Sequence, residues 1–364
     1  MATEQSFSTD VLVEILRKLP PSSRRRARLV CRRWHDAVNE RTAEMETRPM
    51  PLIWGDGVAY VIRDLSSESL WRTKLPAASH RSYPVGTCNG LLCICYNEAR
   101  AGGALTVANP ATGDTMRLPP LLCAGVFAGR RGYERWDAAY SFAYHPTTGR
   151  YKVVHVPCSY DRLCDFTTVQ VLTLGVTAWR EVPPPAGGAR CDLAAGVVSV
   201  DGVTYWVNVG GDTRIMSFDL DAECFASAAT PLPRLPHNHG NYHLTEVHGR
   251  LGFVILPDVW VLEPGPQLWS LRYKLHVGVP RPHFVFGDCV LTRRSGLGFF
   301  GHRPKSTPPS SWKIEREGVV RVEHGDHGTL VAKMIGRYDY FDGDWYRTLN
   351  YVETLEPLSV YASN

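Results

Sequence analysis

One turn repeats along this chain. Val197 to Val200, Asp201-Gly202 and Val203 to Val207 spell a hairpin, two β-rich runs joined by a pair that accepts positive φ. Leu244 to Val247, His248-Gly249 and Arg250 to Leu256 spell it again, with Gly249 about 47 residues after Gly202. A second phrase, Asn109-Pro110-Ala111-Thr112-Gly113, has its echo in His145-Pro146-Thr147-Thr148-Gly149. Tryptophans recur near expected strand ends at Trp179, Trp206, Trp260 and Trp269. Small β units repeated every ~40–50 residues cannot each bury a face alone, but stacked side by side they can, which is the arrangement of propeller blades. This texture runs from about Leu52 to Tyr361, and at that period it predicts six or seven blades. The competing arrangement is one or two β-sandwiches. Asn89-Gly90 supplies positive φ in another turn, and Trp206 and Phe218 read as core or inter-blade packing.

Ahead of the β region the periodicity is helical. Leu12, Ile15, Leu16 and Leu19 fall at i, i+3, i+4 and i+7, an apolar stripe along a helix over residues 9–19. Ser8 or Thr9 caps it, Asp10 and Glu14 lie toward its positive end, and Arg17 and Lys18 toward its negative end. Pro20-Pro21 stops it. Ser22 or Ser23 then caps a second helix, on which Ala27, Val30, Cys31 and Trp34 repeat the stripe, and Ala37 and Val38 predict a third running to about Glu46. The fold class expected is therefore α+β by domain, with a small three-helix unit over residues 5–48 and a large all-β unit over 49–361. Three helices in about forty residues bury little surface by themselves, so either an outside partner or the rest of the chain must cover them.

Residues 17–33 hold eight Lys or Arg and no acid. No aromatics are interleaved for base stacking, and the whole chain carries only +4, so an acidic protein partner fits this run better than nucleic acid. Hydrophobic residues at 44% and charged residues at 21% are the proportions of a folded chain. No apolar run approaches a membrane span, and the N-terminus lacks a secretory layout, so a cytoplasmic or nuclear protein without membrane association is expected. The ten cysteines are scattered, with Cys93 and Cys95 nearest each other, and read as free thiols.

Catalytic signatures are missing from the sequence: there is no phosphate loop, no His-Glu-x-x-His and no Gly-x-Ser-x-Gly. His237, His239 and His243, with His248 nearby, are the tightest histidine group, but their spacing is not that of a zinc site and no metal is expected. Asp219 and Asp221 are close in sequence, as a strand end and turn would place them. No cofactor is expected, and no cysteine has the setting of a catalytic nucleophile.

Asp10, Leu12, Ile15, Leu16, Leu19 and Pro20, followed by Val30-Cys31-Arg32-Arg33-Trp34, resemble the F-box, the motif that docks a protein on the Skp adaptor of a cullin-type ubiquitin ligase. The resemblance implies an adaptor-binding face made by Phe7, Asp10, Leu12, Ile15, Leu16, Leu19, Pro20, Val30, Cys31, Arg32 and Trp34. One departure matters: Phe7-Ser8 stands where the family has a Leu-Pro pair that contributes to this contact. The β region resembles the F-box-associated domain of plant families. Its phrases come in order: Cys88-Asn89-Gly90-Leu91-Leu92, Asn109-Pro110, Leu118-Pro119, Phe142-Ala143-Tyr144-His145-Pro146, Tyr151-Lys152-Val153-Val154, Trp179-Arg180-Glu181-Val182, Asp201-Gly202-Val203-Thr204-Tyr205-Trp206, Ser217-Phe218-Asp219-Leu220 and Tyr351-Val352-Glu353-Thr354-Leu355. A kelch register is not kept, because Gly102-Gly103, Gly187-Gly188 and Gly210-Gly211 stand at irregular distances from Tyr and Trp.

The resemblance implies a non-catalytic substrate receptor. The helices bind a Skp-type adaptor, the adaptor brings the cullin scaffold, and the β unit holds an unidentified protein substrate for ubiquitination and degradation. The alternatives are a propeller enzyme acting on a sugar or small molecule, and an F-box binding module outside degradation. Loops 124–136, 159–166, 234–243 and 303–311 are the candidate substrate contacts, since specificity on such scaffolds lives in loops.

Overall fold

The computed structural model describes residues 8–19, 27, 30–38, 49–55, 58–62, 70–74, 82–100, 102–121, 135–145, 148–160, 164–165, 167–208, 213–226, 230–233, 242–255, 258–264, 268–274, 283–284, 290–294, 298–302, 312–315, 319–322, 329–332 and 347–362. Two helices are described near the N-terminus, α1 (Thr9–Lys18) and α2 (Arg32–Asp36). Ser8 is the N-cap of α1, its Oγ accepting from the Val11 N–H at 3.3 Å. The chain leaves the helix at Leu19, which is extended (ψ 146°) as the residue before a proline must be.

The predicted second helix does not run unbroken to Trp34. Val30 lies in a turn and Cys31 is fully extended (φ −166°, ψ 169°), serving as the N-cap from which α2 starts afresh. Arginines four apart repel along one helix face, and a β-branched valine adds little to helix stability, so this run is a weak place in a helix. The break lets Ala27 on one side and Ala37 and Val38 on the other face the same core. The expected third helix falls largely on residues outside those described, as does the expected cap at Ser22 or Ser23.

The rest of the chain is β-sheet in propeller arrangement. Five antiparallel units, each built on four strands, follow one another in chain order, and in the fourth Thr230–Pro231 also pairs with Arg214–Asp219. The first joins Met50–Gly55, Val58–Ile62 and Leu70–Lys74 to the C-terminal strand Arg347–Tyr351, with Leu52 opposite Leu349. The second is Ser82–Cys88, Leu91–Tyr96, Ala104–Ala108 and Thr115–Arg117. The third is Tyr140–His145, Arg150–His155, Val169–Thr173 and Arg180–Val182. The fourth is Val197–Val200, Val203–Val207, Arg214–Asp219 and Cys224–Phe225. The fifth is Tyr242–Val247, Arg250–Ile255, Asp258–Leu262 and Trp269–Lys274.

Arg347–Tyr351, Ser82–Cys88, Tyr140–His145, Val197–Val200 and Tyr242–Val247 lie each beside the next, and they form the inner edge of the array. Both ends of the β region thus meet in one blade. The predicted count of six or seven blades is not matched. Beyond the fifth unit, Val319–Val322 adds in parallel to Trp269–Lys274, and the remaining sheet (His283–Phe284, Val290–Arg294, Gly298–His302, Thr329–Ala332) is interrupted in chain order by those added strands. Dividing length by period assumed that every residue belongs to a regular blade. Excursions such as the ribbon of Ser159–Tyr160 and Cys164–Asp165 use chain without adding one.

Both hairpins read from the sequence form in register, Val200 opposite Val203 and Val247 opposite Arg250. Their turns have positive φ at both central residues, Asp201 (46°) with Gly202 (78°) and His248 (51°) with Gly249 (76°), and Asn89 (51°) with Gly90 (86°) makes a third. The core lies between blades. One cluster joins Trp54 and Val61 of the first blade to Leu92 and Ile94 of the second. A larger one spans the second to fourth, and another packs the fourth on the fifth. Trp206 and Phe218 are fully buried in the large cluster, the packing role read for them.

Tryptophan indoles also tie neighbouring segments by donating to main-chain carbonyls. Trp54 reaches Ser82 at 2.9 Å, Trp179 reaches Pro119 at 3.1 Å, and Trp269 reaches Pro231 at 2.9 Å. Burying an indole without a partner for its N–H is costly, so these rings both fill the inter-blade space and fix its register.

Candidate partner-binding surface

Helix α1 is apolar on two faces. Leu12, Val13 and Leu16 point inward and, with Ala27, Ala37 and Val38, make a core to which Leu19 and Trp34 are partly buried neighbours. Leu12 is 3% exposed and Leu16 0%. Among the described residues, every member of that cluster comes from the N-terminal unit and none from the β-sheets. Val11 (45% exposed) and Ile15 (38%) share the outward face, four residues apart. Val30, at the turn before α2, is 63% exposed.

The eleven residues expected to form one contact face are therefore divided. Asp10, Ile15, Val30, Cys31 and Arg32 stand at the surface. Leu19 and Trp34 are half-buried. Leu12 and Leu16 are buried in the helical core. Phe7 and Pro20 lie outside the described residues. Val11 was missed because the stripe was counted from Leu12. Its spacing to Ile15 was the available signal.

In the β region the residues that looked like candidates for chemistry are turn and packing groups. Asp219 Oδ1 accepts from the N–H groups of Asp221 and Ala222 at 2.7 and 2.8 Å, and Glu223 has φ 49°. Asn109 does the same: its Oδ1 accepts from Ala111 at 2.9 Å, and Gly113 has φ 80°. In the echo, His145 Nδ1 accepts from the Thr148 N–H at 3.1 Å and Gly149 has φ 67°. Three blades thus share one side-chain-capped turn, of which the sequence showed two.

Lys152 crosses from the third blade to the fourth, donating to the Leu220 carbonyl and to Glu223 Oε1 at 2.6 Å. Burial lowers its pKa, and the nearby Arg180 guanidinium adds to the effect. His155 is also buried, packed edge-on against Tyr140 at 4.8 Å, and burial alone brings its ring down to about 3.

The segment after the last strand is held by side chains of the second and third blades. Asn109 Nδ2 donates to the carbonyls of Thr354 and Glu356 at 3.0 and 2.9 Å. Glu356 is fully buried and accepts from the hydroxyls of Tyr151, at 3.1 Å, and Tyr361. Gly90 runs so close beneath this segment that a Cβ there would lie 2.4 Å from the Val352 carbonyl oxygen.

Of the histidine group, His237 and His239 lie outside the described residues, and among the described residues no cluster of His, Cys, Asp or Glu could hold a metal ion. Seven described cysteines are free thiols, and burial raises those of Cys93 and Cys191. No described helix is long and apolar enough to cross a membrane. Of the four candidate loops, 303–311 lies outside the described residues and the other three are described only in part.

Comparison with known families agrees with this architecture. The F-box domain matches residues 5–42, and the F-box associated beta propeller domain matches residues 63–282. The second match spans more than half of the chain, which therefore belongs to the F-box proteins carrying an F-box associated β-propeller domain. Among its relatives in Arabidopsis thaliana, F-box protein At2g43440 is 24% identical over 98% of this chain and 85% of its own length. F-box protein At3g07870 is 27% identical over 76% of this chain and 74% of its own. F-box protein At1g11270 is 29% identical over 59% of this chain and 72% of its own.

Proposed function

We propose that the chain is the substrate-recognition subunit of a Skp–cullin–F-box ubiquitin ligase. Residues 5–48 dock on the adaptor, the adaptor carries the cullin scaffold, and residues 49–361 hold a target protein for ubiquitination and degradation. The observation that carries this reading is the outward face of the helical unit. Among the described residues its core is closed without the β-sheets, yet Val11 and Ile15, four apart on one face of α1, and Val30 remain exposed, apolar surface that a docked partner would cover. The eight Lys and Arg of residues 17–33 suit an acidic adaptor. In this reading the chain forms no bond itself. It raises the local concentration of target lysines near a charged ubiquitin-conjugating enzyme, and contributes proximity. The cell compartment follows the ligase, cytoplasm or nucleus.

Co-expression with a Skp-type adaptor and cullin tests this directly. The chain is expected to co-purify with both in stoichiometric amount. An adaptor that stays behind on the column sinks the ligase assignment, and an adaptor that binds without recruiting cullin points instead to an F-box module outside degradation.

A further inference from the structure

A cleft of about 420 Å³ opens between the outer parts of the second and third blades. Buried Leu118, Leu172, Leu174 and Tyr361 contribute to its lining, together with exposed Arg117 and Val176. Three features set it apart from an ordinary gap between blades. It is already formed, because the Trp179 indole pins the Pro119 carbonyl on one wall to the third blade. It runs beside Thr115–Arg117, the last strand of its sheet, which has no described strand beyond it and so offers an open main-chain edge. Among the described residues that line it, Arg117 is the one charged side chain and none is an acid. The surface is thus apolar with one positive charge at the rim, and Val176, 49% exposed, extends the apolar part outward.

We infer that this cleft binds an extended segment of a partner protein in which a bulky apolar side chain stands next to a carboxylate. The main chain of the segment lies along Thr115–Arg117 as an added strand, the apolar side chain enters between Leu118 and Leu174, and the carboxylate meets Arg117. Alternate residues of an added strand point the same way, so the acid stands one or two positions from the apolar anchor. This deepens the reading of the β unit as the target-holding part of the chain, and gives that target a chemistry.

The test is selection of a random twelve-residue peptide library, displayed on phage, against the immobilised full chain. Enriched peptides are expected to pair Leu, Ile, Met or Phe with Asp or Glu within two positions. The most enriched peptide, made synthetically and followed by fluorescence anisotropy, is expected to bind Arg117→Glu and Val176→Asp roughly fivefold or more weakly, the upper reach of one exposed ion pair. Both substitutions are at exposed sites, and Arg250→Gln, exposed in the fifth blade, is expected to leave peptide binding unchanged. Enrichment without that pairing, or binding indifferent to both cleft substitutions, overturns the inference. Adaptor co-purification from the same preparations separates the two readings. Peptide failure with the adaptor retained counts against the cleft alone, and adaptor failure with peptide binding intact counts against the ligase assignment alone.

Discussion

Gly90 and Gly113 show how much a single position can depend on its surroundings. Both have positive φ, 86° and 80°, but a Cβ on Gly90 would meet the Val352 carbonyl and the Thr354 methyl at 2.4 Å, whereas nothing lies within 4 Å of one on Gly113. Gly113→Ala is expected to cost about 1 kcal/mol, the backbone strain alone. Gly90→Ala adds a clash with main chain that cannot swing away, and is expected to cost about 2 kcal/mol more. Equal midpoints for the two variants in urea unfolding would show that the C-terminal segment does not press on this turn. His155 gives a residue-scale prediction with a pH sign. Its ring is kept neutral in the fold down to about 3, while in the unfolded chain it titrates near 6.5. Its contribution is whole above the unfolded value and is lost as pH falls from there toward 3. His155→Gln is therefore expected to flatten the fall in unfolding free energy between about pH 7 and pH 5. An unchanged slope would place the acid sensitivity elsewhere.

At the scale of the element, α1 has one apolar face buried and one exposed, and substitutions separate a packing role from the proposed docking role. Leu16→Ala opens a cavity in the small helical core and is expected to cost about 2–5 kcal/mol, enough to loosen the unit and weaken adaptor binding indirectly. Val11→Asp and Ile15→Asp alter only the outward face. They are expected to leave the thermal midpoint within a few degrees of wild type while reducing adaptor capture, roughly tenfold or more for the pair combined. Capture that falls with Leu16→Ala but not with the paired aspartates would assign the contact to another face. The same element shows the limit of periodicity: a count from Leu12 found one stripe on a helix that has two. Which stripe faces inward depends on where Ala27, Ala37 and Val38 lie, and the break at Cys31 that puts them there left only a weak mark in the sequence.

At the scale of the whole molecule, the β array is closed by its own end. Arg347–Tyr351 completes the first blade, and Asn109, Tyr151 and Gly90 grip the segment that follows. Truncation after residue 346 removes both. It is expected to expose the edge of Met50–Gly55, to abolish a single cooperative unfolding transition and to shift the chain toward aggregates on size exclusion. Adaptor binding is expected to survive, because among the described residues the helical core contains none from the sheets. A truncated chain that stays monomeric with an unchanged midpoint would mean that closure matters little to stability.

Much was determined by the sequence alone, and for a local reason. A two-residue turn needing positive φ, a proline stop, a hydroxyl cap or a run of alternating strand residues is specified by neighbours in the chain, so the hairpins at Asp201-Gly202 and His248-Gly249, a cap for α1 at Ser8 or Thr9 and the division into helices followed by sheets could all be read from it. The number of blades, the use of the last strand to complete the first blade, the grip of Asn109 on residues 354 and 356, and the choice of Val11 and Ile15 over Leu12 and Leu16 as the outward face were decided by tertiary structure. Each depends on which other segment arrives to cover a surface, and packing between segments that are not neighbours in the chain leaves no period to count.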